Sequence, residues 1–155
     1  MNKFSFDTSA FIEPWKRFYP LDIFPSMWNR FEIISESNII IASECVFIEL
    51  EKKSDKLFEW AKKIRPFEIK SDDTIEDNVN EIVNKFPGLV DMAKKKSTAD
   101  PYVIAVAMSM NASVVSYEGG KKGKTKIPDV CKYYNIEYLD LVGFFRKMNW
   151  KFDLV

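Results

Sequence analysis

The stretch FSFDTSAF, residues 4–11, places a carboxylate and two hydroxyls directly after a short apolar segment. Phe4 and Phe6 stand two residues apart, which is the spacing of side chains that share one face of a β-strand. Asp7 ends this predicted strand and precedes a predicted helix that runs through about Arg17. Two roles fit Asp7 at this position: a side-chain cap for the helix, or a ligand of a metal ion.

Strands and helices alternate along the rest of the chain. Further strands are predicted at 39–42, 113–117 and 136–139, and residues 67–69 are predicted as either a short strand or an extended link. Helices are predicted at 25–36, 45–53, 54–64, 71–86, 97–110, 128–135 and 141–150. This alternation favours a three-layer α/β fold with a mostly parallel central sheet. The length of 155 residues predicts a single domain over residues 1–155.

The composition excludes several classes of chemistry. The chain has no histidine, which removes Ser-His-Asp and Cys-His catalysis and nearly every zinc site. It has 23 basic and 23 acidic residues, so its net charge does not indicate a nucleic-acid partner. Cys45 and Cys131 are too few for a disulfide framework. No apolar run approaches the ~20 residues of a membrane span, and no signal pattern is present, so we expect a cytoplasmic protein without a membrane partner.

Polar groups follow three of the predicted strands directly. The first strand is followed by Asp7 and Ser9, the second by Ser43 and Glu44, and the third by Ser116 and Glu118. Because ligand sites in parallel sheets lie beyond the carboxyl ends of the strands, we expect these groups to meet at one edge. Carboxylates and hydroxyls are the ligands that Mg²⁺ and Mn²⁺ prefer.

Three more acids are candidates for the same site, and each has a simpler explanation. Glu49 lies at the edge of the apolar stripe of its helix, where a solvated glutamate is the commoner case. Asp100 precedes Pro101 and opens the most apolar helix, so it is also a helix cap. A cap leaves the carboxylate ionised at the positive end of the helix dipole, which is compatible with a metal ligand. Asp129, behind Pro128, is also typical of a first helical turn.

The run GGKKGKT, residues 119–125, resembles a phosphate-binding loop but lacks its pattern. The glycine required five residues before Gly123 is Glu118, and Pro128 follows too soon for the required helix. The run is therefore predicted to be either a plain exposed basic loop or a surface that contacts a phosphate backbone. The lysines concerned are Lys121, Lys122, Lys124 and Lys126.

Taken in order, these segments resemble a PIN domain. The segments are DTS at 7–9, Glu49 within its helix, STADPYVIAVA at 97–107 and VVSYE at 114–118. The stretches YPLDIFPSMW (19–28) and KIPDVC (126–131) resemble a PIN-like subfamily of small prokaryotic proteins. One departure is that the last acid is Glu118, where Asp is commoner in the wider family.

The resemblance implies a sheet of about four or five strands and an acidic pocket for one or two Mg²⁺ or Mn²⁺ ions. It also implies metal-dependent cleavage of RNA, often as the toxin of a toxin–antitoxin pair. Asp7 and Asp100 would be primary ligands, and Glu49 and Glu118 direct or water-mediated ones. The implied supporting groups are Ser9 and Ser116, with Asp129 as a competitor of Glu118.

Other functions remain open at this stage. One is an inactive PIN-like module that binds RNA or a protein without chemistry, and another is a phosphoacceptor fold in which Asp7 is phosphorylated. The expected partners are an RNA substrate, a cognate antitoxin and a second copy of the chain in a homodimer. Aromatic residues crowd residues 11–28, which fits a partner surface or a plain aromatic core equally well.

Overall fold

The computed structural model describes residues 2–64, 67–90, 99–117 and 126–154. The strands are β1 (Phe4–Phe6), β2 (Ile40–Ser43), β3 (Glu68–Ile69), β4 (Ser113–Val115) and β5 (Tyr138–Leu139). The helices are α1 (Thr8–Glu13), α2 (Pro25–Glu36), α3 (Glu44–Lys53), α4 (Asp55–Lys63), α5 (Asp73–Lys85), α6 (Ala99–Met110), α7 (Ile127–Tyr133) and α8 (Leu141–Lys147). A π-helical turn, Pro14–Phe18, continues α1, and a 3-10 turn, Pro87–Leu89, follows α5.

The five strands form one parallel sheet in the order β3-β2-β1-β4-β5. The chain builds β1, β2 and β3 toward one side and then returns to place β4 on the other side of β1. Such a reversal of strand order opens a crevice beyond the carboxyl ends of the two strands at the switch point, here β1 and β4. The predicted parallel α/β sheet is confirmed, and its switch point lies where Asp7 and Ser116 leave the sheet.

Helices cover both faces of the sheet. Successive side chains of a strand point to opposite faces, so Ser5 faces away from Phe4 and Phe6. The Ser5 hydroxyl donates to the Val103 carbonyl of α6 at 2.8 Å. Phe4 packs edge-to-face on Phe144 of α8, and Phe6 contacts rings of α1 and α2. The predicted three-layer arrangement is therefore confirmed.

The aromatic residues crowded near the start of the chain divide into two groups. Phe11 and Trp28 are fully buried in the core, where Trp28 packs edge-to-face on Trp15 with ring centroids 4.8 Å apart. Phe18 instead keeps 45% of its surface exposed. The core explanation therefore holds for Phe11 and Trp28, and a partner surface stays a prediction for the exposed Phe18.

Several predicted boundaries change in the structure. The helix after β1 extends as far as expected, but its last turn is π-helical, with the Tyr19 N–H donating to the Pro14 carbonyl. Residues 67–69 supply a true strand, because Glu68 and Ile69 pair with β2. The last helix ends at Lys147 and not at residue 150, since Asn149 adopts a left-handed conformation with φ 55°.

No helix within the described ranges is both long and apolar enough to cross a membrane. The predicted basic loop and the predicted loop after α5 fall largely in 118–125 and 91–98, which lie outside the described residues.

Candidate metal-binding and catalytic site

Asp7 occupies the N-cap position of α1 but does not cap the helix with its side chain. Its carboxylate instead accepts hydrogen bonds at Oδ2 from the Ser9 hydroxyl at 2.7 Å and the Ser116 hydroxyl at 3.3 Å. Asp7 is only 5% exposed, and its backbone N–H donates to the Val115 carbonyl at 2.9 Å. Neither hydroxyl bond uses Oδ1. Two hydroxyls therefore hold the Asp7 carboxylate, which does not cap the helix.

Glu49 is fixed by a hydroxyl that follows Asp7 in sequence. The Thr8 hydroxyl donates to Glu49 Oε2 at 2.6 Å and joins the start of α1 to the middle of α3. Thr8 is itself buried, with 3% of its surface exposed. A glutamate on a solvated helix face would lack such a partner, so Glu49 belongs to the carboxyl edge of the sheet.

Three of the four predicted acids line one pocket. Asp7, Glu49 and Asp100 surround a cavity of about 200 Å³ whose wall also includes Ser9. Asp100 lies in the first turn of α6, where the helix dipole stabilises a negative charge. The three carboxylates come from segments that are far apart in sequence, and the switch point of the sheet brings them together.

The other predicted site residues do not line this pocket or lie outside the described residues. Glu118 and the lysines at 121, 122 and 124 lie outside the described residues. Ser116 is fully buried and contacts Asp7 from β4, as stated above. Asp129 is exposed, does not line the pocket, and accepts a hydrogen bond from the Lys126 N–H at 3.0 Å at the start of α7. Lys126 does not line the pocket either.

Sequence reasoning missed three polar residues of the pocket, Thr8, Glu13 and Lys53, and the apolar Ile12. A signal existed for Glu13, because it stands four residues after Ser9 and therefore on the same face of the helix. Its Oε2 lies 3.4 Å from Arg17 Nε. Lys53 likewise stands four residues after Glu49. The Thr8–Glu49 bond joins residues 41 positions apart, and no local pattern indicates it.

The donors of this pocket fit a hard divalent cation. They are carboxylates with hydroxyl neighbours, and such oxygen groups are what Mg²⁺ and Mn²⁺ prefer. In the described part of the chain, no three acidic or sulfur side chains converge closely enough to enclose an ion. This is compatible with Mg²⁺, which usually retains several waters and binds one or two protein carboxylates.

The surroundings of Cys45 disfavour its thiolate form. Burial raises the pKa of the Cys45 thiol, a hydrogen bond with Ser43 lowers it, and the charges of Glu44, Glu49 and Glu76 raise it further. Because the thiolate is the reactive form, Cys45 is held in its inert form. Ser43 also caps α3 by accepting the Cys45 N–H at 3.1 Å.

Glu76 of α5 is engaged away from the pocket. Its carboxylate accepts the Tyr102 hydroxyl at 3.0 Å and the Ser71 hydroxyl at 2.6 Å. Burial and this bond to Glu76 raise the pKa of Tyr102 to about 12. Tyr102 therefore remains a hydrogen-bond donor at neutral pH, and it ties α6 to α5 close to Asp100.

A five-stranded parallel sheet with helices on both faces, and acids gathered at its switch point, defines a PIN-like α/β protein. The same fold occurs in the crystal structure of VapBC2 from Rickettsia felis bound to a DNA fragment from their promoter. The similarity covers 88% of this chain and 97% of that chain, with a TM-score of 0.54 and 18% sequence identity. The resemblance to PIN domains inferred from the sequence is confirmed at the level of the fold.

The chain belongs to the protein family described as "Domain of unknown function (DUF4411)", which it matches over residues 4–152. The match spans β1 through α8 and includes every residue that lines the acidic pocket. No curated protein shows significant sequence similarity to the chain.

Proposed function

We propose that this chain is a Mg²⁺- or Mn²⁺-dependent endoribonuclease and the toxin of a toxin–antitoxin pair. The observation that carries the proposal is the pocket of about 200 Å³ into which Asp7, Glu49 and Asp100 converge from three separate segments. Three carboxylates that line one pocket repel one another, and the fold alone gives no reason for them to share it. A divalent cation and a phosphate supply that reason.

Asp7, Glu49 and Asp100 would hold the cation. When bound, it would neutralise charge on the scissile phosphate and lower the pKa of an attacking water. The rest of the work falls to the protein: the hydroxyls of Ser9 and Ser116 orient Asp7, and the Thr8 hydroxyl orients Glu49. Hydrolysis by in-line attack leaves a 5′-phosphate and a 3′-hydroxyl, and none of these groups needs to be a histidine.

The outer parts of the site remain predictions. Glu118 is proposed as a fourth ligand, and Asp129 as its competitor or as a supporting group. Lys121, Lys122, Lys124 and Lys126 are proposed to contact the RNA backbone. The fold shared with VapBC2 supports a cognate antitoxin as the protein partner, and a homodimer stays a prediction as well.

The test is RNA cleavage by Asp7→Asn and Asp100→Asn variants in the presence of each divalent metal. Each substitution removes one charge from the pocket, and we expect cleavage to fall by roughly 10²- to 10³-fold, the scale on which loss of one electrostatic group acts. Asp77→Asn, an exposed residue of α5, is the matched control and should cleave like the unaltered protein. Sequencing of the cut ends checks the predicted 5′-phosphate.

Full activity of either pocket variant would show that the site is wrong. Calorimetry with Mn²⁺ gives an independent readout: the unaltered protein should bind the ion, and the Asp7→Asn variant should bind it more weakly.

One observation favours a second candidate, a PIN-like module that binds RNA or a protein without cutting RNA. Among the described residues, no three acids converge closely enough to enclose an ion. This candidate predicts no divalent-metal binding at millimolar concentration, together with RNA binding that Asp7→Asn leaves unchanged.

A further inference from the structure

An apolar groove of about 210 Å³ lies beside the acidic pocket. Pro14 and Phe18 form one side of it, Tyr117 lies between, and Asp140 and Leu141 at the start of α8 form the other side. Neither the metal site nor the predicted lysine surface uses this groove.

Two features of the chain link the groove to the pocket. The helical segment after β1 lines the pocket with Ile12 and Glu13 and the groove with Pro14 and Phe18. On the opposite side, the Tyr117 backbone N–H donates to Ser9 Oγ at 2.9 Å, and Ser9 in turn donates to Asp7. Tyr117, which lines the groove, is therefore linked through Ser9 to the carboxylate proposed to hold the cation.

Two aromatic rings form an exposed shelf in the groove, and we refer to Phe18 and Tyr117 as the aromatic shelf. Their ring centroids are 5.4 Å apart with an interplanar angle of 53°. Phe18 is 45% exposed and Tyr117 is 41% exposed, whereas most aromatic rings in the described ranges are buried or half-buried. Phe18 ends the π-helical turn, an element that occurs frequently at functional sites.

We propose that the aromatic shelf stacks an unpaired nucleobase of the RNA, in the nucleotide next to the scissile phosphate. Exposed aromatic faces bind bases by stacking, and this recognition requires single-stranded RNA because paired bases cover their own faces. The Asp140 carboxylate in the groove wall repels phosphate, so the base enters and the sugar-phosphate chain stays outside. The inference rests on the proposed function, since it assumes that the substrate is RNA.

The experiment measures RNA binding by the full chain in an Asp7→Asn background, which should bind RNA without cutting it. The probes are a short unstructured RNA and a strand of the same length whose bases are removed. Adding Tyr117→Ala should weaken binding of the intact RNA by about 5- to 100-fold, the effect of losing one base stack. Binding of the abasic strand should stay unchanged. The substitution keeps the backbone N–H that bonds to Ser9, so the acidic pocket is left in place.

Tyr117→Trp preserves a stacking face and should bind intact RNA as tightly as the Asp7→Asn parent. Tyr133→Ala is the matched control, because Tyr133 is another exposed tyrosine and lines neither cavity. In addition, an RNA with 5-iodouridine should crosslink on irradiation to Tyr117 or Phe18, and mass spectrometry identifies the crosslinked residue. This test needs no substitution in the aromatic shelf, so a loss of protein stability cannot explain its outcome.

Equal binding by the Tyr117→Ala variant and its parent would overturn the inference, as would an equal loss of affinity for both strands. If the Tyr117→Ala variant binds RNA normally but no longer binds a cognate antitoxin, the aromatic shelf contacts a protein partner and not a base. The proposed function is tested separately. If RNA binds through the aromatic shelf but the unaltered protein never cuts it, the proposed nuclease activity is wrong and the stacking inference still holds. If the Asp7→Asn parent binds no RNA, both the proposed function and the stacking inference are wrong.

Discussion

Polar side chains are buried at the carboxyl ends of the strands and exposed at their amino ends; we call these ends the carboxyl edge and the amino edge of the sheet. At the carboxyl edge, Asp7, Thr8 and Ser116 are buried and bonded to residues distant in sequence. At the amino edge, Glu137 accepts bonds from the Ser113 hydroxyl at 2.9 Å and from Lys147 Nζ at 3.1 Å, and these contacts are exposed. Buried polar groups cost stability unless they are paired, so the carboxyl edge carries the larger cost.

The amino edge is built from local chain reversals. Within the described ranges, four non-glycine residues have positive φ, and all are asparagines that follow helices: Asn38, Asn111, Asn135 and Asn149. In each case the next residue donates its N–H to a carbonyl five positions earlier, as Ile136 does to Cys131 at 2.8 Å. This is a helix-ending motif in which asparagine replaces the usual glycine. The motif satisfies backbone groups within a few residues and needs no tertiary partner.

The comparison teaches that the cost of polar burial is concentrated where chemistry is proposed. Substitutions at the carboxyl edge should therefore change activity more than stability, and those at the amino edge should do the reverse.

The largest expected effect concerns the hydroxyls at the carboxyl edge. Thr8→Val and Ser116→Ala each remove a donor that orients a pocket carboxylate, and we expect RNA cleavage to fall by about 10- to 100-fold. The free energy of unfolding should fall by only about 1 kcal/mol, the typical net value of one hydrogen bond. Ser113→Ala at the amino edge is the control and should cleave normally. Full cleavage by both carboxyl-edge variants would erase the distinction between the edges.

Sequence reasoning named Asp7 together with Ser9 and Ser116, which bond to it, but missed the partner of Glu49. Asp7 was placed correctly because the strand before it has a local period, and Asp100 because it opens an apolar helix. The Thr8–Glu49 bond could not be predicted from the sequence, since it depends on how α1 lies against α3. The end of α8 was mispredicted for a different reason: apolar residues continue to Trp150, but Asn149 had already signalled a helix end.

A smaller effect is expected at the helix ends of the amino edge. Asn135→Ala keeps the β-carbon at φ 56° but removes the amide group whose local hydrogen bonding makes asparagine tolerated there, which should lower the free energy of unfolding by about 1–2 kcal/mol. Asn135→Gly also removes the β-carbon, and with it the strain at this φ, and should stay within a few tenths of a kcal/mol. Urea denaturation measures both, and RNA cleavage by folded protein should be unchanged in each. Equal losses in the two variants would mean that the asparagine side chain, and not the backbone conformation, stabilises this turn.

The smallest effect belongs to the ion pair between Glu137 and Lys147, whose side chains are 43% and 40% exposed. The hydrogen bond from Lys147, with a further one from Ser113, holds the pKa of Glu137 below its usual value of 4.5. A lowered carboxyl pKa adds stability above the unfolded pKa, and that stability is lost as the pH falls through the folded value.

Lys147→Met should therefore cost less than about 1 kcal/mol at pH 7, because exposed pairs are screened by water and salt. Urea titrations at several pH values should show the difference from the unaltered protein shrinking below about pH 4.5. It should also shrink in high salt at neutral pH. A larger cost that persisted in acid and in salt would mean that the amino edge holds a coupled polar network. The contrast with the carboxyl edge would then have to rest on the acids alone.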